Sequence, residues 1–455
     1  MRDAERQDQR VLDWIGDIPD RWGVHSLGSQ LAANKLSNKG LVESRVLSLS
    51  YGRVIVKPLD KLRGLVPESF ETYQIVEPGD IVIRPTDLQN DQTSLRVGQS
   101  MHRGIITSAY ICLRPTDSLN HRYASYLLAA YDFMKVFYGF GSGLRQNLDV
   151  KHIKHIPVPV PSLEEQGLSV RYLDHAELRI AKAIAAKQDV VRLLREARLA
   201  MISETVLAGS GTDVERMDSG ISGVGSVPAH WRIRRAKYVW KAEDVRSVTG
   251  TEERLTVSSA SGIVPRSSKN VTMFEAATYV GHKVVQPSDL VVNSLWAWAG
   301  GLGVSAHHGL VSPVYGVYRL RDDAQCDPEF MHNLLRSNAC QWQFQVRSKG
   351  IWRSRLSITD EAFFDMPLPL PSLDEQRTIA DTIRTQTANV DRAIASVLDE
   401  IALLKEYRTR LISDVVTGKL DVRDEAAKLP DIDPMELVTV AVGENGDDEE
   451  ATDDD

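Results

Sequence analysis

The chain has very little cysteine: three residues in 455, Cys112, Cys326 and Cys340, with no Cys-x-x-Cys pair. That excludes a disulfide framework and a zinc ribbon, and it leaves each cysteine as a small apolar residue of a reducing compartment. No apolar run approaches the ~18 residues of a membrane span. Met1-Arg2-Asp3-Ala4-Glu5-Arg6 is charged and leads into no apolar signal core, so no membrane association and a cytoplasmic location are expected. Catalytic signatures are missing too. There is no Asn-Pro-Pro-aromatic motif, no Gly-x-x-x-x-Gly-Lys phosphate loop and no Gly-x-Ser-x-Gly elbow. His307-His308 has no neighbouring Glu or Cys at ligand spacing, so a surface turn is expected there and no metal.

Basic excess is absent as well, and this is misleading. The net charge is −8, yet residues 424–455 hold thirteen acids against Lys428 alone. Without them 53 cations and 49 anions remain, a balance of +4. That is compatible with a nucleic-acid partner and does not argue for one. The acidic end, assigned here as 421–455, has no core-forming pattern and is expected to be disordered.

What the sequence does have is a repeat. Ile15-Gly-Asp-Ile-Pro-Asp-Arg-Trp22 is echoed by Val224-Gly-Ser-Val-Pro-Ala-His-Trp231, offset by 209. Pro157-Val-Pro-Val-Pro-Ser-Leu-Glu-Glu-Gln166 is echoed by Pro367-Leu-Pro-Leu-Pro-Ser-Leu-Asp-Glu-Gln376, offset by 210. Pro78-Gly-Asp-Ile-Val-Ile83 matches Pro287-Ser-Asp-Leu-Val-Val292 between them. Chance matches do not keep order at one spacing, so the chain is a tandem duplication.

Each half opens with about 150 residues of mixed strands and turns, with strands expected at Arg53–Val56, Asp80–Ile83, Leu290–Val292 and Val314–Leu320. The Pro-x-Pro-x-Pro run has to be extended, because proline fixes φ and restrains its predecessor. A helix then starts at a capping box, Ser162 with Glu165 and Ser372 with Glu375. Apolar residues follow at heptad spacing: Leu173, Ile180, Ile184, Val191 and Leu194 in the first helix, with Lys187 and Met201 in the series. Adding 210 gives the second set, Ile383, Val390, Ile394, Val397, Ile401 and Leu404. A stripe at period 3.5 marks a coiled-coil seam, so the two helices are expected to zip together, antiparallel; each packing on its own half is the alternative. Both are expected to end near Gly209 and Gly418, giving rods of roughly 65–70 Å at ~1.5 Å per residue.

The two halves are not identical. Gly104 through Tyr110 aligns with Gly309 through Tyr315 at an offset of 205, so a shared frame carries intervening loops of different length. Loops that combine cations, amides and glycine are the candidate readers of base edges, since Arg grips guanine and Asn or Gln pairs with adenine. In the first half these are Arg84, Thr86, Asn90 and Gln92 after the shared strand, and Ser142, Arg145, Gln146 and Asn147 before the proline run. In the second half they are Asn293 and Trp296, and Arg347, Lys349, Trp352, Arg353 and Arg355.

With its doubled proline–Ser-Leu-x-Glu-Gln entry into a long helix, its doubled Pro-x-x-Trp start and its ~210-residue period, the sequence over residues 14–420 resembles the specificity subunits of type I restriction–modification systems. The resemblance implies an α+β fold: two mixed α/β target-recognition domains separated by two long antiparallel coiled-coil helices, an internal tandem repeat with pseudo-two-fold symmetry. The domains fall at 1–162 and 210–372, the helices at 163–209 and 373–420. It implies a non-catalytic subunit that binds double-stranded DNA at a bipartite, asymmetric target. It also implies two methyltransferase subunits and restriction/translocase subunits as partners, with S-adenosylmethionine, ATP and Mg held by those partners and no cofactor or metal here. The alternatives are the DNA-reading subunit of a related methyltransferase-based phage-defence system, and a coiled-coil scaffold that does not bind DNA.

Overall fold

The computed structural model describes residues 15–57, 69–89, 91, 94–140, 147–211, 214–259, 261–268, 278–350 and 356–432. It divides into two units, residues 1–188 with 399–455, and residues 189–398.

In the first unit a four-stranded antiparallel sheet is built from β2 (Leu31–Asn34), β6 (Ile81–Ile83), β7 (Val97–Gln99) and β9 (Ile111–Pro115), in the order β2-β9-β6-β7. Beside it lie the hairpin β3 (Leu47–Ser50) and β4 (Arg53–Val56), and the ribbon β5 (Gln74–Val76) with β8 (Gly104–Ile106). The proline run, β10 (Pro157–Val160), pairs with β1 (Gly23–Ser26). Strand β6 is buried on both faces, and its alternation shows why. Ile81 and Ile83 join the core under helix α1 (His121–Phe133), while Val82 joins a smaller core with Leu47, Val54, Val76 and Ile106.

The second unit repeats the plan. Its sheet runs β14 (Trp240–Ala242), β21 (Gly316–Leu320), β18 (Leu290–Val292), β19 (Leu302–Val304). The hairpin is β15 (Leu255–Ser258) with β16 (Gly262–Pro265), and the ribbon is β17 (Lys283–Val285) with β20 (Gly309–Val311). Proline strand β22 (Pro367–Leu370) pairs with β13 (Arg232–Arg235). Helices Pro328–Arg336 and Asn338–Arg347 stand where the first unit has α1. An added hairpin, β11 (Arg216–Asp218) with β12 (Ser226–Pro228), precedes β13.

The long helices span Leu163–Ala208 and Leu373–Val416. Each ends on a glycine in the left-handed region, Gly209 at φ 85° and Gly418 at φ 80°, a conformation glycine alone adopts without strain. Each contributes to both units, so neither packs only on its own half. In the first unit Arg408 pairs with Glu177 at 3.4 Å and Lys187 with Glu400. In the second, Arg198 pairs with Asp391 at 2.6 Å and Thr205 donates to Gln386 at 2.8 Å. One residue number rises as the other falls, so the helices run antiparallel. Leu173, Ile180, Ile184, Val191, Ile383 and Ile401 are buried, whereas Leu194, Val390, Ile394, Val397 and Leu404 are half-buried.

One expectation is corrected. Residues 421–432, assigned to the acidic tail, are part of the first unit: Val422 and Ala426 are buried in it, and Asp431 pairs with Arg171 at 2.9 Å. The acids there face outward and the few apolar residues inward, which composition averages away. Residues 433–455 lie outside the described residues.

The thiols behave as apolar residues. Burial pushes Cys112 and Cys340 up to about 12 and half-buried Cys326 up to about 11. His308 turns Nδ1 to the Gln286 side chain at 3.2 Å. Among the described residues, no helix is long and apolar enough to cross a membrane.

Candidate nucleic-acid interface

The doubled motifs build the frame that carries the loops. Ser162 accepts the Glu165 N–H at 3.2 Å and Ser372 the Glu375 N–H at 3.3 Å, so the serine half of each expected capping box is formed. The two glutamates then take side chains from the Pro-x-x-Trp segments. Arg21 forks onto Glu165 at 2.7 and 3.3 Å, and His230 and Trp231 reach Glu375 at 2.7 and 3.2 Å. Burial pushes Glu375 up, but hydrogen bonds from His230, the Ser210 N–H and Trp231 outweigh it and hold the carboxyl below its usual range.

The adjoining glutamines are fully buried and do the same work twice. Gln166 accepts the Asn120 N–H at 2.7 Å and donates to Pro161 and Ser118 carbonyls at 2.9 and 3.2 Å. Gln376 accepts the Asp327 N–H at 2.8 Å and donates to Pro371 and Gln325 carbonyls at 3.0 and 3.2 Å. Asn120 and Asp327 in turn cap the helices that follow them. The shared Pro-x-Asp turns match as well. Buried Asp80 takes a bidentate Arg114 at 2.7 and 2.8 Å, and Asp289 a bidentate Arg319 at 2.9 Å.

On this frame the candidate loops meet in pairs. In the first unit the Leu148 N–H donates to the Pro85 carbonyl at 2.8 Å and the Asp87 N–H to the Asn147 side chain at 3.0 Å. In the second the Ile358 N–H donates to the Ser294 carbonyl at 3.1 Å, the same junction at matching positions. Lys349 and Ser357 exchange both main-chain hydrogen bonds, at 2.9 and 3.0 Å, closing the base of the stretch between them.

Of the candidate readers, Arg84 is half-buried and pairs with Asp91 at 3.3 Å, and Thr86 gives its carbonyl to Arg96. The Asn293 side chain turns back on the Leu295 N–H at 3.2 Å. Trp296 stacks on Trp298, ring centroids 5.7 Å apart, and both rings are half-buried. Arg347 folds back along its helix onto Gln343. Lys349 is exposed. Asn90, Gln92, Ser142, Arg145, Gln146, Trp352, Arg353 and Arg355 lie outside the described residues.

Sequence reasoning missed two groups packed against the first unit's loop. The β3–β4 tip, with exposed Tyr51, lies against the loop: a Cβ on Gly52 would stand 3.1 Å from Leu95. Arg96 is buried beneath the same loop; its signal was only one more arginine among 54 cations.

Residues 103–187 match the family model of the type I restriction modification DNA specificity domain. The matched stretch spans β8, the sheet strand β9, α1, the proline strand and the first half of a long helix. Over these residues the chain is similar to the DNA specificity domain of type I restriction–modification systems. A putative type I restriction enzyme MjaX specificity subunit from Methanocaldococcus jannaschii is 19% identical over 439 residues, covering 90% of this chain and 96% of that protein. The type I restriction enzyme StySPI specificity subunit from Salmonella potsdam is 26% identical over 140 residues, 30% of each chain. A solved structure concerning complex assembly and conformational transition of the type I R-M system matches 89% of this chain and 100% of its own, at TM-score 0.56 and 13% identity. At that identity the likeness is one of fold. The mixed α/β units and long antiparallel helices therefore share the fold of that structure.

Proposed function

We propose that the chain is a specificity subunit that reads a bipartite, asymmetric DNA target, one half with each unit, and has no catalytic activity of its own. The observation that supports this reading is the doubled loop junction. Pro85 with Leu148 and Ser294 with Ile358 bring unlike side chains together at equivalent points of one repeated frame. A frame that is repeated while its loops are not suits two readers of different short sequences, the covalent counterpart of a dimer on half-sites. Cations near the loops supply phosphate grips that orient the duplex, while Asn, Thr and Trp side chains offer base contacts.

The helix pair sets the tolerated spacer between the half-targets. Two methyltransferase subunits and restriction/translocase subunits complete the assembly, and they hold the S-adenosylmethionine, ATP and Mg. The cytoplasm is its compartment.

Methylation-site sequencing of DNA from cells expressing this chain with its cognate methyltransferase tests the reading. A single motif of two short defined blocks around an undefined spacer is expected. A contiguous motif, or methylation without sequence preference, would refute it.

A further inference from the structure

We propose that Arg96 in the first unit and Arg336 in the second are positioning residues for target reading, each gathering the main-chain carbonyls of its unit's loops and fixing what those loops present. The inference rests on the loops being the readers.

Arg96 is fully buried. Burying a guanidinium is unfavourable unless its five N–H donors are met, and here they are met by one loop and the tyrosine beside it. Nε donates to Tyr138 Oη at 3.0 Å. Nη1 donates to the carbonyls of Arg84 and Thr86 at 3.3 and 2.7 Å. Nη2 donates to those of Asp87, at 3.2 Å, and Asp91. Four carbonyls between Arg84 and Asp91 thus converge on one side chain. The clamp is itself pinned, since the Arg96 N–H donates to buried Asp132 at 2.7 Å and its carbonyl takes the Arg84 N–H at 2.9 Å. A lysine has three donors on a point charge and cannot span this fan.

Arg336 does the same from a different place. It ends the helix Pro328–Arg336 and sends Nη1 to the carbonyls of Ser258, Gly300 and Leu302, at 3.3, 3.0 and 2.6 Å. Nη2 donates to Ser259. It therefore ties the β15–β16 hairpin to the loop after β18.

The two arginines do not correspond in the repeat. At the local offset of 205 Arg96 faces Gly301, and at the offset of 207 that aligns Asn120 with Asp327, Arg336 faces Ala129. The shared frame did not supply these clamps; each belongs to the divergent part, together with the loops it holds.

The test is methylation-site sequencing with Arg96→Lys, Tyr138→Phe and Arg336→Lys in the full complex, beside Asn147→Ala in the first unit's loop. Arg96→Lys is expected to lower discrimination in one half-target by about tenfold or more and leave the other intact, and Arg336→Lys to do so in the opposite half. Tyr138→Phe removes one acceptor and is expected to relax the same half as Arg96→Lys, more weakly, so the test survives if Arg96→Lys does not fold. Lower methylation overall with both half-targets equally sharp would make these residues structural only and overturn the inference. If Asn147→Ala alters the target while the arginine and tyrosine variants do not, the loops read and the clamps do not position them. If none of the variants alters it, the loop reading fails and takes the positioning role with it.

Discussion

Gln166 and Gln376 each hold three main-chain groups where the recognition frame meets a long helix. Removing either amide leaves one buried proline carbonyl without its partner, worth about 1–3 kcal/mol, and frees a part-buried carbonyl and N–H besides. Gln166→Ala is therefore expected to destabilise the first unit and Gln376→Ala the second, by at least that much, in denaturant unfolding. His332 gives a pH prediction. It accepts the Val304 N–H at 3.2 Å, and burial together with the charges of Arg336 and Arg198 holds it down at about 4, against an ordinary 6.5. Between those values the unfolded chain takes up a proton that the folded unit does not. Stability thus rises with pH across this window and is lost as pH falls through it, by up to about 3 kcal/mol. His332→Gln is expected to flatten that part of the pH–stability curve; an unchanged slope would show the histidine is not its source. At this scale the sequence was only partly legible. The glutamines stood out because they recur, but their work depends on carbonyls dozens of residues away. Arg96 did not stand out at all, because a lone arginine is ordinarily exposed.

The long helices were the most legible elements, because a seam at period 3.5 leaves a local mark and glycine a local stop. Ile184 is fully buried in the seam while Leu193 is largely exposed. Ile184→Ala is expected to destabilise the first unit by about 2–5 kcal/mol, and Leu193→Ala to stay within about 0.5 kcal/mol, by thermal unfolding. The proline strands were legible as extended, and β4, β6, β18 and β21 fell within a few residues of their expected spans. The sheet order was not legible. β9 sits between β2 and β6 through pairings such as Ile81 with Leu113, and nothing in a short window encodes so distant a partner. The ordered stretch at 421–432 was hidden for a related reason: Val422 and Ala426 count for little in composition, yet each finds a buried place in the first unit.

For the whole molecule, duplication explains why the chain carries so regular a frame. If the helices set the spacer, seven residues added to each at matched positions, beside Lys187 and Glu400, preserve the seam and lengthen the pair by ~10 Å. The preferred spacer is then expected to grow by about three base pairs at ~3.4 Å each, read by methylation-site sequencing. An unchanged spacer would remove the helices from that role. The central claim, two unlike readers on one repeated frame, is tested most directly by exchanging residues 15–162 for the corresponding domain of another family member and sequencing the methylated sites. The account predicts that one half of the target changes and the other stays as it was. A target in which both halves change, or neither does, would contradict it.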